Sequence, residues 1–227
     1  MTLIFPLEAA TAEIAESDER FPVRRIFCVG RNYADHAREM GGAPEREPPF
    51  FFTKPADAIV GGGADIAMPA RTADLHHEIE LVVALGSGGR DMSDDVAIEA
   101  IFGYAAGNDL TRRDLQAEAK AAGRPWDMAK GFDRSAVLSP IRRVADIGHP
   151  SNARIWLSVN GASRQDGDIA DMIWPVPAII AELSTYVELK AGDLIYTGTP
   201  AGVGRVVAGD LVEGGIDGVG SLANRFI

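Results

Sequence analysis

Two carboxylates two positions apart open an otherwise apolar strand in His77-Glu78-Ile79-Glu80-Leu81-Val82-Val83-Ala84-Leu85. Strand side chains alternate faces, so Glu78 and Glu80 share one face while Ile79, Leu81 and Val83 take the other. Neighbouring ionised carboxylates beside a hydrophobic strand repel each other and lose hydration, so a cation, a proton or solvent has to compensate them. Asp109, in Gly107-Asn108-Asp109-Leu110-Thr111, offers a third oxygen donor. Three such donors with no cysteine nearby suit a hard ion, Mg²⁺ or Mn²⁺, that keeps positions open for water and substrate oxygens. An edge strand with a wet acidic face accommodates Glu-x-Glu equally well, and the pattern alone leaves the two readings level.

The rest of the composition bounds the partners. A chain of 227 residues, 46% hydrophobic and 24% charged, fits one large domain or a main domain with a small appendage. A formal net charge of −11 argues against nucleic acid or an anionic membrane surface, while leaving room for a local cationic pocket around a small anion. A small-molecule partner is therefore expected. The sole cysteine, Cys28, sits in Ile26-Phe27-Cys28-Val29, which excludes an intrachain disulfide and points to a buried small hydrophobe in a reducing, cytoplasmic setting. The first residues carry Glu8, Glu13, Glu16 and Asp18 without a basic leader. No apolar run approaches the roughly 18 residues that span a bilayer, so neither export nor insertion is expected.

Residues 1–22 read as an accessory segment, with a short strand at Leu3-Ile4-Phe5, and residues 23–227 as the main domain. A strand over 23–29 leads through Gly30-Arg31 to Asn32, an N-cap for a helix through Met40 that ends at Gly41-Gly42 and carries His36 and Glu39. Phe50–Lys54, Ala58–Val60 and Glu78–Leu85 are strand-like. Helices are expected over 91–100, 111–122 and 177–189, with a strand over 101–107, which places Asp109 at a strand-to-helix junction. Asn160-Gly161 is a hairpin turn joining 153–159 to 162–165, and short strands follow at 194–197, 211–213 and 222–226. No internal repeat or long linker is present. The regular strand and crossover-helix alternation of a doubly wound fold is missing, so an α+β chain dominated by mixed and antiparallel sheet is expected.

Six segments in order resemble the fumarylacetoacetate hydrolase family: Gly30-Arg31-Asn32-Tyr33-x-x-His36-x-x-Glu39, Lys54-Pro55, His77-Glu78-x-Glu80-Leu81, Gly107-Asn108-Asp109-x-Thr111-x-Arg113, Lys130-Gly131-Phe132-Asp133 and Thr197-Gly198-Thr199-Pro200. The resemblance implies a mixed β-roll core with peripheral helices, a Mg²⁺ or Mn²⁺ site and a homodimer. Matched position by position, it implies that Glu78, Glu80 and Asp109 hold the metal and that Lys130 binds the substrate carboxylate or a developing enolate. It also implies that Arg113, Gln116 and Thr199 face the substrate. His36 and Glu39, three apart on one helical face, can share a hydrogen bond and act as a general-base pair on a helix that closes over substrate in the family, or form an ordinary surface pair. His76 and His77 are not expected as ligands. The glycine-rich Gly61-Gly62-Gly63 and Gly202-x-Gly204 lack the strand, Lys-Ser/Thr and helix of a phosphate loop.

The reaction implied is hydrolysis of a carbon–carbon bond in an acylpyruvate, a 2-oxo acid substrate. The 21–26 lead-in, Pro48-Pro49-Phe50-Phe51-Phe52 and Arg124-Pro125-Trp126-Asp127 are most similar to the bacterial branch that cleaves fumarylpyruvate in gentisate breakdown. A second carboxylate on that substrate would need a cation, for which Arg31 and Arg124 are both open. The alternatives are decarboxylation or keto–enol tautomerisation of oxaloacetate by the same metal chemistry, and a silent metal-binding protein.

Overall fold

The computed structural model describes residues 4–6, 8–39 and 48–227. The strand with the glutamate pair, Ile79–Leu85, is internal: it runs antiparallel to Ile101–Asp109 on one side and to Asp193–Tyr196 on the other. All of its residues are buried, which excludes the edge strand with a wet acidic face. Burial on both faces also explains why Leu81–Leu85 reads as a continuous apolar run.

The sheet around it is mixed, in the order Phe51–Lys54, Arg25–Val29, Asp193–Tyr196, Ile79–Leu85, Ile101–Asp109, Ala136–Leu138, Ile59–Gly61. Arg25–Val29 is parallel to Asp193–Tyr196, and Ala136–Leu138 to Ile59–Gly61; the other neighbours are antiparallel. A second, antiparallel sheet orders Ala162–Asp168, Arg154–Val159, Leu211–Ile216 and Gly220–Arg225. One face of the central strand, Ile79, Leu81 and Val83, shares an apolar cluster with Leu157 and Val212 of this second sheet. Helices Asp94–Glu99 and Val176–Tyr186 add Ala97, Ile179, Ile180 and Leu183 to that cluster. The opposite face, Val82 and Ala84, packs with Ile26, Cys28 and Leu194. The α+β, mixed β-roll expectation holds, and Cys28 is buried as expected.

The hairpin at Asn160-Gly161 forms as its sequence dictates, with φ of 52° and 76° in a two-residue turn whose positive angles match the strand twist. Its second strand runs further than expected, to Asp168. Other elements differ. Ile4 and Phe5 are an exposed bend with no partner strand among the described residues, and Leu3 lies outside them. The N-terminal strands are instead Thr11–Glu13 and Arg20–Pro22, a hairpin fastened where Ala15 N–H donates to Ile141 O and Ile141 N–H to Glu13 O. Asn32 does not cap a helix; its buried amide donates to Trp174 O at 3.0 Å and Thr197 O at 2.9 Å and accepts from Trp174 N–H at 2.7 Å. The helix runs Ala34–Glu39, and its expected end at Met40-Gly41-Gly42 lies outside the described residues. Asp109 is not at a strand-to-helix junction: Thr111–Arg112 is a strand paired with Leu75–His76, and the helix begins only at Arg113.

Gly107 sits opposite Glu80, where a Cβ would come within 2.5 Å of Val82 Cγ2 and 2.6 Å of the Tyr196 ring. Gly107→Ala should lower unfolding stability by about 1–3 kcal/mol through overpacking. An unchanged denaturation midpoint would mean that the sheet centre yields freely.

Candidate active site

The three carboxylates meet at a seam between sheets. Leu75–His77 belongs to a small sheet with Thr111–Arg112 and Gly204–Val206, whereas Ile79–Leu85 and Ile101–Asp109 belong to the large one. Glu78 and Asp109 occupy matching positions where both strands cross from one sheet to the other. The backbone ties them where Asp109 N–H donates to Glu78 O at 2.9 Å, and the Asn108 side chain adds a second link, its Oδ1 accepting the Glu78 N–H at 2.8 Å. Glu78, Glu80 and Asp109 each bring a carboxylate oxygen to within 4.8 Å of the others, and all three are buried.

Cations surround this cluster. Lys130 Nζ donates to Glu78 Oε2 and Asp109 Oδ2, both at 2.7 Å. Lys54 Nζ lies 2.7 Å from Asp109 Oδ1 and also donates to the carbonyls of Leu110 and Lys130. Arg113 Nη2 donates to Glu78 Oε1, and its Nη1 to Gln116 Oε1 at 2.7 Å. Burial pushes the Glu78 carboxyl up, but the Lys130 ammonium and Arg113 guanidinium outweigh it and hold the group below the usual carboxylate range. Lys130 is likewise pushed down by burial and held charged, above its ordinary value, by Asp109 and Glu78.

Glu80 is different. Its Oε2 accepts the Gly198 N–H at 2.7 Å, yet among the described residues it has no ion-pair partner. Burial, then the charges of Asp109 and Glu78, pushes its carboxyl well above the usual range. A buried carboxylate beside two others and lacking a cation is what a bound divalent ion would satisfy, and an all-oxygen donor set fits Mg²⁺ or Mn²⁺. Gly198 reaches Glu80 through a positive φ of 99°, with no room for a side chain because a Cβ would sit 2.7 Å from Asn32 Cβ.

One pocket gathers Arg31, His36, Glu78, Glu80, Arg113, Gln116, Lys130 and Thr199. His36 Nδ1 lies 3.3 Å from Glu39 Oε2, and Glu39 stands outside the lining, held by the Gly202 N–H. His36 is buried rather than on the surface; burial lowers its pKa below the ordinary 6.5 against the pull of Glu78 and Glu39, leaving a neutral imidazole at pH 7. The Thr199 hydroxyl is committed, donating to Ile79 O at 2.8 Å and accepting from Gln165 Nε2 at 2.8 Å, so its backbone N–H is what it can present to a ligand. Arg124 does not join this pocket; it lines an adjoining groove with Phe50–Thr53 and Asp127. His77, pushed down to about 4 by burial, spends its Nδ1 on Gln165 Oε1 at 2.9 Å, and His76 Nδ1 accepts from Arg113 Nε at 3.3 Å.

Three participants carried no assigned role in the sequence. Lys54 was visible only as part of a motif. Gln165 is fully buried, accepting from Ile79 N–H and donating to Thr199 and Pro200, but its strand of small and polar residues, Ala162–Asp168, gives no hydrophobic alternation to mark it. Lys120 lines the pocket one turn beyond Gln116, a spacing that could have revealed it.

Residues 25–227 match the family described as fumarylacetoacetate (FAA) hydrolase C-terminal. The solved fumarylpyruvate hydrolase of Pseudomonas aeruginosa, in complex with Mn²⁺ and pyruvate, is 50% identical with a TM-score of 0.97, covering 100% of this chain and 99% of that one. The fumarylpyruvate hydrolase of a Ralstonia species is 48% identical over 177 residues, 78% of this chain and 92% of its own. The mitochondrial oxaloacetate tautomerase FAHD1 of Bos taurus is 44% identical over 199 residues, 88% of this chain and 90% of its own.

Mn²⁺ binding should release protons, because the one held by Glu80 in the metal-free protein must leave. Apparent affinity should therefore rise with pH above the ordinary carboxylate range; calorimetry in buffers of different ionisation enthalpy reads the release, and pH-independent binding would contradict it. Lys54→Met should cost about 1–3 kcal/mol in denaturant unfolding of the metal-free protein, since it takes one of two cations from buried Asp109 and leaves that carboxylate with Lys130 alone. A loss within experimental error would remove Lys54 from the charge balance.

Proposed function

The chain belongs to the fumarylacetoacetate hydrolase family, and on that premise we propose that it hydrolyses a carbon–carbon bond in an acylpyruvate, namely fumarylpyruvate to fumarate and pyruvate. The observation that carries the reading is a pocket lined by Glu78, Glu80, Lys130 and a buried neutral His36, with buried Asp109 completing the carboxylate cluster and Glu39 backing the histidine. Passive metal binding would need only the carboxylates.

Glu78, Glu80 and Asp109 would hold Mg²⁺ or Mn²⁺, which supplies Lewis-acid polarisation of a 2-oxo acid's oxygens. Glu39 accepts the Nδ1 proton of His36 and fixes its tautomer, which leaves Nε2 free to take a proton from water. The hydroxide attacks the distal acyl carbonyl. Collapse of the tetrahedral adduct breaks the bond to the pyruvyl methylene and expels pyruvate enolate, while the acyl carbon leaves as fumarate. Lys130 offers a compact cation to the enolate oxygen, and the imidazolium returns its proton to the enolate carbon. Arg113, braced by His76 and Gln116, and the Thr199 backbone N–H serve the substrate carboxylate; Arg31 lines the same pocket.

Tautomerisation or decarboxylation of oxaloacetate is the second reading, favoured by the tautomerase relatives at 43–45% identity. It needs the same chelation and a proton relay but no attack by water. The similarity to the two hydrolases, at 48% and 50%, supports hydrolysis as the first choice. A cytoplasmic homodimer acting in gentisate breakdown belongs to the same proposal. The buried lone Cys28 suits a reducing compartment, and the dimer rests on family membership. Residues 1–22 are taken as an accessory segment and 23–227 as the catalytic domain, since none of 1–22 lines the pocket among the described residues.

Turnover of fumarylpyruvate, acetylpyruvate and oxaloacetate with and without Mn²⁺, with products identified by chromatography, tests the assignment. Metal-dependent release of fumarate and pyruvate is expected; isomerised or decarboxylated oxaloacetate with neither acylpyruvate cleaved would move the reading to the second. His36→Ala should lower kcat about 10²–10⁴-fold with metal affinity intact. Glu80→Ala should weaken Mn²⁺ binding, and undiminished calorimetric affinity in that variant would remove Glu80 from the ligand set.

A further inference from the structure

The acidic chain, with 33 Asp and Glu against 22 Lys and Arg, places Arg31, Arg113, Lys120 and Lys130 around one pocket. Arg113 and Lys130 are taken up by Glu78 and Asp109. Arg31 and Lys120 have no carboxylate partner among the described residues. Each lies over an aromatic ring instead: Arg31 Cζ is 5.9 Å from the Phe50 centroid, and Lys120 Nζ is 5.0 Å from that of Trp126. The two rings meet edge to face at 5.3 Å, so one aromatic pair carries both cations. A ring face steadies a cation without neutralising it, and leaves its N–H groups available to an anion. Gly30 makes the seat possible, because a Cβ there would come within 1.9 Å of the Phe50 ring.

The row continues inward. Phe52 lies 5.9 Å from Trp126, and Lys130 Nζ is 4.9 Å from the Phe52 ring. Flat rings therefore run from the two unpaired cations to the lysine at the carboxylate cluster. Resting on the proposed acylpyruvate hydrolysis, we propose that Arg31 and Lys120 form a dicationic subsite for the far carboxylate of a dicarboxylic acylpyruvate, with Phe52 and Trp126 as the floor under a planar unsaturated acyl chain. The subsite selects a substrate charged at both ends over one with a neutral acyl group. Arg124, in the neighbouring groove, takes no part.

A charge-assisted hydrogen bond to a carboxylate sets the scale of the test, about tenfold or more in specificity. With Mn²⁺-loaded protein, Lys120→Met and Arg31→Met should each lower the ratio of kcat/KM for fumarylpyruvate to that for acetylpyruvate by at least about tenfold. Lys120→Arg should restore the ratio, which a packing defect would not allow. Equal losses on both substrates, or no loss, would overturn the subsite. A binding measurement separates this from failure of the reaction assignment: with Mn²⁺ and saturating pyruvate, fumarate should bind about tenfold tighter than crotonate, which replaces one carboxylate by methyl, and Lys120→Met should erase the difference. Equal affinities for fumarate and crotonate in the unaltered protein would overturn the subsite even if fumarylpyruvate is cleaved. The predicted difference, without cleavage of either acylpyruvate, would uphold the subsite and refute the reaction.

Discussion

Three carboxylates with almost no contact with solvent impose the strictest condition on this molecule, because ionised groups in the interior are tolerated only when paired. Lys130, Lys54 and Arg113 answer for Glu78 and Asp109, and each reaches the cluster from a different part of the chain: a short helix, an outer strand of the main sheet and the helix that follows Asp109. Glu80 is left with a backbone N–H alone. Without a cation of its own among the described residues, Glu80 has its carboxyl pushed above the usual range by burial and by its two acidic neighbours, and a carboxyl that can trade its proton for a metal makes the seam a cation site rather than a completed internal salt-bridge network.

The seam also explains why rigid strands rather than loops carry the chemistry. Glu78 and Asp109 stand where two paired strands pass together from one sheet to another, so the ladder on both sides fixes their separation. The Thr197–Pro200 run is bound to the same strand through Leu81 and Ile79 carbonyls, which positions Gly198 against Glu80. Gln165 bolts the second sheet to this assembly through Ile79 and Thr199. A site held this way keeps its reacting groups in place before substrate arrives, the condition under which fixed charges contribute most to a transition state.

Much of this was legible in the sequence because it follows from local rules. Alternation put Glu78 and Glu80 on one face, Asn160-Gly161 specified its turn, and the three-residue spacing paired His36 with Glu39. What escaped depends on tertiary partners. Asn32 carries the signature of a helix cap, yet two carbonyls and an N–H from distant segments claim its amide. Thr111–Arg112 reads as the start of a helix, but Leu75–His76 offers a ladder that draws it into a strand. The one-turn helix Asp127–Lys130 is too short to leave a periodic trace. Lys54 resembles any strand-end lysine until Asp109 is found beside it.

The most direct test of the central claim is anomalous diffraction from crystals grown with Mn²⁺. A single strong peak bonded to Glu78, Glu80 and Asp109 oxygens at about 2.0–2.2 Å is the result the account requires, given the reach of carboxylate ligands to such ions. Absence of manganese from that position at saturating Mn²⁺, with Glu80 still lacking a cation, would contradict it.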